Sequence, residues 1–302
     1  MNRLSYFFWF FSLVCFSSAL SAQTRIITTI PILSTLATEI GGSYVEVKML
    51  SNASTDPHHF HLSPQQLQEL LAADIVITSQ EMAQHLPINP QNILSIGSSL
   101  QDKYIVPKHP LHHLMHHASK DTHSHHHHCS CGHHHAHDLA SLNAITHEWL
   151  SFDALEILSS ILTQELILRD AAHQDFYQEM YQAMIHRLHE LKKVFLNKEL
   201  KKKSLFYHND FWLIEKELHQ SFGPVLFTCD GSTLLPEMRA TLEKDSSSYT
   251  ALFIDQNLAQ EQVQKLRLFI QCPIKTIDTL GAGPYLSVSE WLEQNLSMIY
   301  AE

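Results

Sequence analysis

The sequence predicts an α/β protein of two lobes, each with a central, mostly parallel sheet flanked by helices, and one long rigid helix joining them. Three observations lead there. Short β-branched runs alternate with helix-patterned runs near the start of the chain and again beyond residue 203, the pattern of parallel sheets covered by helices. Between the two alternations, Tyr177, Tyr181, Met184, Leu188, Leu191 and Phe195 recur at spacings of four and three, which is one apolar face of a long helix. Finally, 302 residues at 44% hydrophobic and 17% charged suit two globular units, each able to bury a core.

Residues 1–22 stand outside that fold. Arg3 gives a positive start, Tyr6–Phe16 is apolar but for one serine, and Ser17–Ala22 is a run of small residues ending in plausible cleavage sites. This reads as a secretory signal peptide, too short for a stable anchor. Ser12-Leu13-Val14 lacks the small residue a lipidated Cys15 needs just before it, so a lipid anchor is not expected. No later stretch reaches the roughly 18 to 20 apolar residues that span a bilayer. The mature protein is expected to be soluble and periplasmic.

The N-terminal lobe is assigned to residues 23–172. Arg25–Ile30 is a strand stopped by Pro31, Ile32–Ile40 a helix stopped by Gly41-Gly42, and Tyr44–Leu50 a strand. Ser63–Ala73 opens with a Ser-Pro cap and runs as a helix, followed by the strand Asp74–Ser79. Residues 107–138 then break the pattern. Fourteen of the 24 histidines fall between His109 and His137, around Cys129-Ser130-Cys131. So little apolar content builds no core, so a disordered loop is expected until metal binds. Its expected role is weak, exchangeable metal capture that feeds or regulates a tighter site. Ser151–Arg169 closes the lobe as a helix.

Residues 173–198 form the linking helix. Lys198–Lys203 reads as its solvated basic end, favourable near a helix C-terminus, and not as a binding patch. The C-terminal lobe, 199–302, alternates strands at Ser204–Tyr207, Pro224–Thr228, Thr250–Ile254 and Pro273–Ile277 with helices at Phe211–Gln220, Leu234–Lys244, Ala259–Ile270 and Ser287–Tyr300. Cys229 and Cys272 flank strands of this lobe, and an oxidising compartment permits either a bridge or two buried thiols.

Composition excludes some functions. A formal charge of −11, from 31 acidic and 20 basic side chains, argues against a nucleic-acid partner. The chain has no GxxxxGK[ST] loop, so it carries no nucleotide-driven energy source of its own. His147-Glu148 begins like the HExxH zinc-protease motif, but Ser151 stands at the second ligand position.

Outside the tract, four places offer metal chemistry. The run Asp56-Pro57-His58-His59-Phe60-His61 follows a strand end, and chemistry alone does not choose among its histidines. His147 precedes a helix. His208 and Asp278 each directly follow a predicted strand, where open α/β sheets hold their ligands. Three imidazoles and a carboxylate, two places from each lobe, make a four-coordinate set that suits zinc better than magnesium or calcium. Four protein ligands leave no open position for water or substrate, so the set favours capture of the metal over catalysis by it.

In order along the chain, DPHHFHLSPQQLQELLAAD (56–74), THEWLSF (146–152), YHNDFW (207–212) and TIDTLGAG (276–283) resemble the motifs of the zinc/manganese class of ABC-transporter solute-binding proteins, most closely the zinc-uptake (ZnuA-type) members. The resemblance covers residues 24–302. It implies metal ligands at His58, His147, His208 and Asp278, with His58 selected by its place after Asp-Pro and two residues before Phe60. It also implies Zn2+ as cargo, Mn2+ being less favoured because manganese members tend to have Glu where this chain has His208. The implied partner is an ABC permease in the inner membrane, and the implied state a monomer. Two departures stand out. Ile145-Thr146 precedes His147 where the family usually has Asp-Pro, and the usual Gly and Glu are missing from Ser79–His85. Asp255 matches an acidic family position read as structural. A metal-storing or adhesive surface protein of the same fold is the competing expectation.

Overall fold

A computed structural model describes residues 23–50, 62–95, 100, 147–227 and 246–301. The signal-peptide segment, His58, the His-rich tract, the expected helix Leu234–Lys244 and Cys229 lie outside the described residues.

Two parallel sheets organise the chain. The first contains β1 (Thr24–Thr28), β2 (Val45–Met49), β3 (Ile75–Ile77) and β4 (Ile93–Leu94), in the order β2-β1-β3-β4. Its register pairs Ile26 with Val47 on one side and with Ile75 on the other. Helix α1 (Pro31–Gly41) starts directly after β1, with Pro31 preset at its first turn. Helix α2 (Pro64–Leu71) opens with a complete capping box, Ser63 Oγ accepting from Gln66 N while the Gln66 amide accepts from Ser63 N. The short helix α3 (Gln80–Ala83) and strand β4 were not expected from sequence, being too brief to carry a period.

Helix α4 (Phe152–Arg169) packs on α1, β4 and the helix at Trp212–Glu217, and helix α5 (Gln174–Leu196) on α1 and the helix at Val288–Tyr300, so both touch elements of each lobe. On α5, Tyr177, Met184, Leu188, Leu191 and Phe195 are buried as the spacing predicts, and Tyr181 packs half-buried against the same core. The second sheet contains β5 (Leu205–Phe206), β6 (Leu252–Asp255) and β7 (Ile274–Ile277), in that order. It is flanked by α6 (Trp212–Glu217), α7 (Gln260–Leu266) and α8 (Val288–Tyr300).

The expected strand Pro224–Thr228 is described as far as residue 227 and takes the form of isolated bridge residues, not a continuous strand. Residues 224–227 run parallel to β5 as bridge residues at Val225 and Phe227, Val225 pairing with Phe206, with Leu226 N and Phe227 N donating to Phe206 O and Tyr207 O; Thr228 lies outside the described residues. Gly223 turns the chain into this segment at φ +145°, and Pro224 accepts from Phe206 N but has no N–H to give back. Helices α6 and α7 are also shorter than their apolar patterns predict.

One hydrophobic core runs through both lobes. It includes Ile26, Ile75 and Leu36 from the first, Phe206, Phe253 and Trp291 from the second, and Leu155, Leu162, Met184 and Leu188 from α4 and α5. Helix α5 packs on α1, α4 and α8. Glu39 of α1 bridges Arg187 of α5, at 2.5 Å, and accepts from Val288 N at the start of α8, at 2.9 Å. Among the described residues no helix is long and apolar enough to cross a membrane.

Candidate metal centre

In each sheet one strand has neighbours that lead the chain in opposite directions: β1 between β2 and β3, and β5 between residue 225 and β6. The carboxyl ends of such strands form a crevice, the usual ligand position in an open parallel sheet. The candidate residues collect on these ends. His208 lies two residues beyond β5, Asp255 ends β6, and Asp278 directly follows β7. The two crevices meet, because Ile32 N, just after β1, donates to Leu280 O, just after β7, at 3.0 Å.

His147 begins a tightly held segment. It is 6% exposed and has φ +58°, a left-handed conformation uncommon for any residue but glycine. Its Nε2 lies 3.3 Å from Oδ1 of Asp210, which is 5% exposed and comes from the opposite sheet. Next, Glu148 accepts from Gln80 N at the start of α3. Trp149 packs edge-on against the His147 ring and donates from Nε1 to Thr279 O at 2.8 Å. Ser151 caps α4 through Ala154 N and also donates to Glu217 of α6. Glu217 additionally accepts from Phe152 N at 2.8 Å and Asp153 N at 3.3 Å. Buried carboxylates thus fix residues 147–153 between the lobes. Burial is also the main reason the Glu217 carboxyl is held above its ordinary range.

His208 is half-buried, its ring lying 4.5 Å from that of Tyr207, and it lines a small cavity together with Phe206, Phe211, Trp212 and Phe222. Asp278 is 5% exposed and organises its own loop. Its Oδ1 accepts from Ala282 N at 3.0 Å, its Oδ2 from Gly283 N at 2.8 Å, and the Tyr285 hydroxyl also hydrogen-bonds the carboxylate. Burial first, and then the negative charge of Asp278, push the Tyr285 phenol well above its usual range. The backbone carbonyl of Asp278 accepts from Trp291 Nε1 and Asn295 Nδ2, which fixes the loop to α8. Gly281 lets this loop lie against the other lobe: its φ is +71°, and a Cβ there would stand 2.6 Å from Ile32 Cβ. Asp255 does structural work, accepting from Thr279 Oγ1 and Thr279 N on one oxygen and from Asn257 N on the other.

His147 and Asp210 are in contact, whereas His208 and Asp278 follow β5 and β7, which are separated in the sheet by β6. Among the described residues no three His, Cys, Asp or Glu side chains gather closely enough to hold an ion together. Of the four expected ligands, His58 is outside the described residues. Sequence reasoning passed over Asp210 and Glu217. Asp210 had one available signal, an acid two residues after a strand-end histidine; the burial of Glu217 arises only from tertiary packing.

Two parallel sheets joined by a long helix, with polar residues meeting between their strand ends, define a two-lobe solute-binding fold. The chain belongs to the family described as the periplasmic zinc-uptake complex component A (ZnuA), whose model matches residues 26–299. It is accordingly a metal solute-binding protein of the zinc/manganese type. No protein of curated function matches the sequence significantly. Among solved structures, the AdcAII protein of Streptococcus pneumoniae is 18% identical, with 93% of this chain and 98% of that one covered at a TM-score of 0.68. A zinc-bound ZnuA lacking residues 138–173 of its own chain is 18% identical, with 92% and 97% covered at 0.67. FpvC of Pseudomonas aeruginosa in complex with Mn2+ is 16% identical, with 92% and 98% covered at 0.62. At these identities the structural likeness establishes the fold.

Proposed function

We propose that the protein is an exported, periplasmic carrier that captures Zn2+ between its lobes through His58, His147, His208 and Asp278 and delivers it to an ABC permease. The metal is cargo, and the protein is a binding protein, not an enzyme. The observation that carries the reading is the convergence of His147, from the segment ahead of α4, with a loop of the second sheet that also bears His208. Asp278 approaches on a loop that touches the first lobe through Gly281. Imidazole and carboxylate donors suit a borderline cation. The relatives that bind zinc support the same choice.

Residues 1–22 act as the export signal in this reading, and residues 23–172 and 199–302 as the lobes. The tract His109–His137 captures metal weakly and exchangeably, and feeds or regulates the cleft site. Manganese is the second reading, favoured by the Mn2+ complex of FpvC, a protein of the same fold. Competitive titration of zinc against manganese tests the proposal. Tight zinc binding of one equivalent, lost in His208→Ala, is the expected result; tight manganese with weak zinc overturns the metal assignment.

A further inference from the structure

We propose that Tyr285 is a specificity-determining residue of the metal centre: its hydroxyl leaves Asp278 one free carboxylate position, so that Asp278 offers a cation a single oxygen. This rests on the reading of Asp278 as a ligand and adds what sets the number of oxygens it gives.

The local sequence places Tyr285 for that role. Asp278 follows β7, and its Oδ1 and Oδ2 accept from Ala282 N at 3.0 Å and Gly283 N at 2.8 Å. Pro284 then turns the chain back, and Tyr285 N donates to Gly283 O at 2.9 Å, a three-residue turn that the fixed φ of proline favours. Just beyond, Ser287 caps α8 by accepting from Glu290 N, while Glu290 accepts from Leu286 N. Tyr285 is thus held from both sides, and its ring folds over Gly283. A Cβ on Gly283 would stand 2.8 Å from Tyr285 Cε2 and 3.1 Å from the hydroxyl oxygen. That hydroxyl hydrogen-bonds the Asp278 carboxylate. An ionised carboxylate only accepts, so the phenol is the donor.

Counting positions gives the consequence. A carboxylate has about four acceptor positions, two on each oxygen. The backbone takes one on each oxygen of Asp278, and Tyr285 takes a third. A cation therefore finds one position, on one oxygen. Without the hydroxyl, one position would stand open on each oxygen, and Asp278 could hold an ion with both. Single-oxygen binding suits zinc, which settles with four ligands in a tetrahedron. Two-oxygen binding raises the coordination number and suits manganese, which favours octahedral, oxygen-rich surroundings. Tyr285 thereby favours zinc over manganese without touching the ion.

The test titrates residues 23–302 with Zn2+, Mn2+ and Co2+, comparing wild type, Tyr285→Phe, Gly283→Ala and Asp278→Ala at the tightest site. Tyr285→Phe keeps the ring and removes only the hydroxyl. It is expected to lower the zinc-to-manganese affinity ratio by about tenfold or more, the scale of loss when a hydrogen-bond partner of a ligand is removed. Its cobalt ligand-field bands should weaken, as they do when four-coordinate cobalt gains a ligand. Gly283→Ala keeps the tyrosine but displaces its hydroxyl, and should move both readouts the same way. If either readout is unchanged in Tyr285→Phe, the proposal is overturned; equal weakening of both metals marks a residue that only packs the loop. Melting of the metal-free variants checks folding, and if Tyr285→Phe does not fold, Gly283→Ala decides by the same criteria. If Asp278→Ala binds like wild type, the reading of Asp278 as a ligand fails and takes the proposal with it. A loss of affinity in Asp278→Ala beside unchanged behaviour in Tyr285→Phe overturns the proposal alone.

Discussion

His147 combines burial, a left-handed backbone and a carboxylate neighbour from the other lobe. A backbone in that region persists only where its surroundings over-determine it, and here Glu148, Trp149 and Ser151 each bond a different part of the protein. Truncating the imidazole should therefore affect metal more than fold. His147→Ala is expected to lower zinc affinity by about 100-fold or more, beyond the 10–100-fold typical of supporting residues, with little change in metal-free melting; isothermal titration and calorimetry check the two halves. Glu217 makes the opposite case. Its carboxylate holds the start of α4, so Glu217→Ala should destabilise the fold by about 1–3 kcal/mol, measured by urea unfolding. Because burial raises its pKa in the folded state, the native protein binds this proton more readily than the unfolded chain does. That contribution to stability is fully present below the ordinary value of 4.5 and is lost as pH rises through the raised folded value. Wild type compared with Glu217→Gln should therefore gain relative stability as pH falls from 7 toward 4.5; a difference that shrinks over that interval contradicts the assignment.

Elements differ in how legible they are. The α5 face could be read from sequence because six apolar residues repeat a helical spacing, and five of them are buried. Strands β1, β2, β3, β6 and β7 were legible as β-branched or apolar runs between turn residues. β4 was not, since two residues carry no period, while the expected strand Pro224–Thr228 is met in its described part by bridge residues Val225 and Phe227 alongside β5, where Pro224 has no N–H to add to the ladder. In the site, strand-end position pointed to His208 and Asp278. Asp210 and Glu217 are ordinary acids in the sequence, made distinctive only by burial against another lobe. The loop after β7 yields a sharper prediction. Gly281→Ala meets both an unfavourable φ and the Ile32 side chain, and should destabilise the protein by about 2–4 kcal/mol. It should also weaken zinc binding by displacing Asp278. Unfolding and metal titration of the same variant test both effects.

Across the whole molecule, the continuous core decides how the lobes move. Residues from both sheets and from α4, α5 and α8 share one apolar cluster, and Glu39 adds polar ties among α1, α5 and α8. Swinging one lobe as a rigid body would open that cluster, and close-packed interiors resist such change. Capture is therefore expected to be local, by movement of the loops on the strand ends. Small-angle scattering should show nearly the same radius of gyration with and without zinc, whereas a large compaction would indicate a hinge that this packing does not allow. The most direct test of the central claim is a competitive titration of zinc against manganese, with stoichiometry read by native mass spectrometry, on residues 23–302 lacking 109–137. The account predicts one tightly held zinc, lost in His208→Ala. The absence of any tight site after that deletion would contradict it and move the metal chemistry to the His-rich tract.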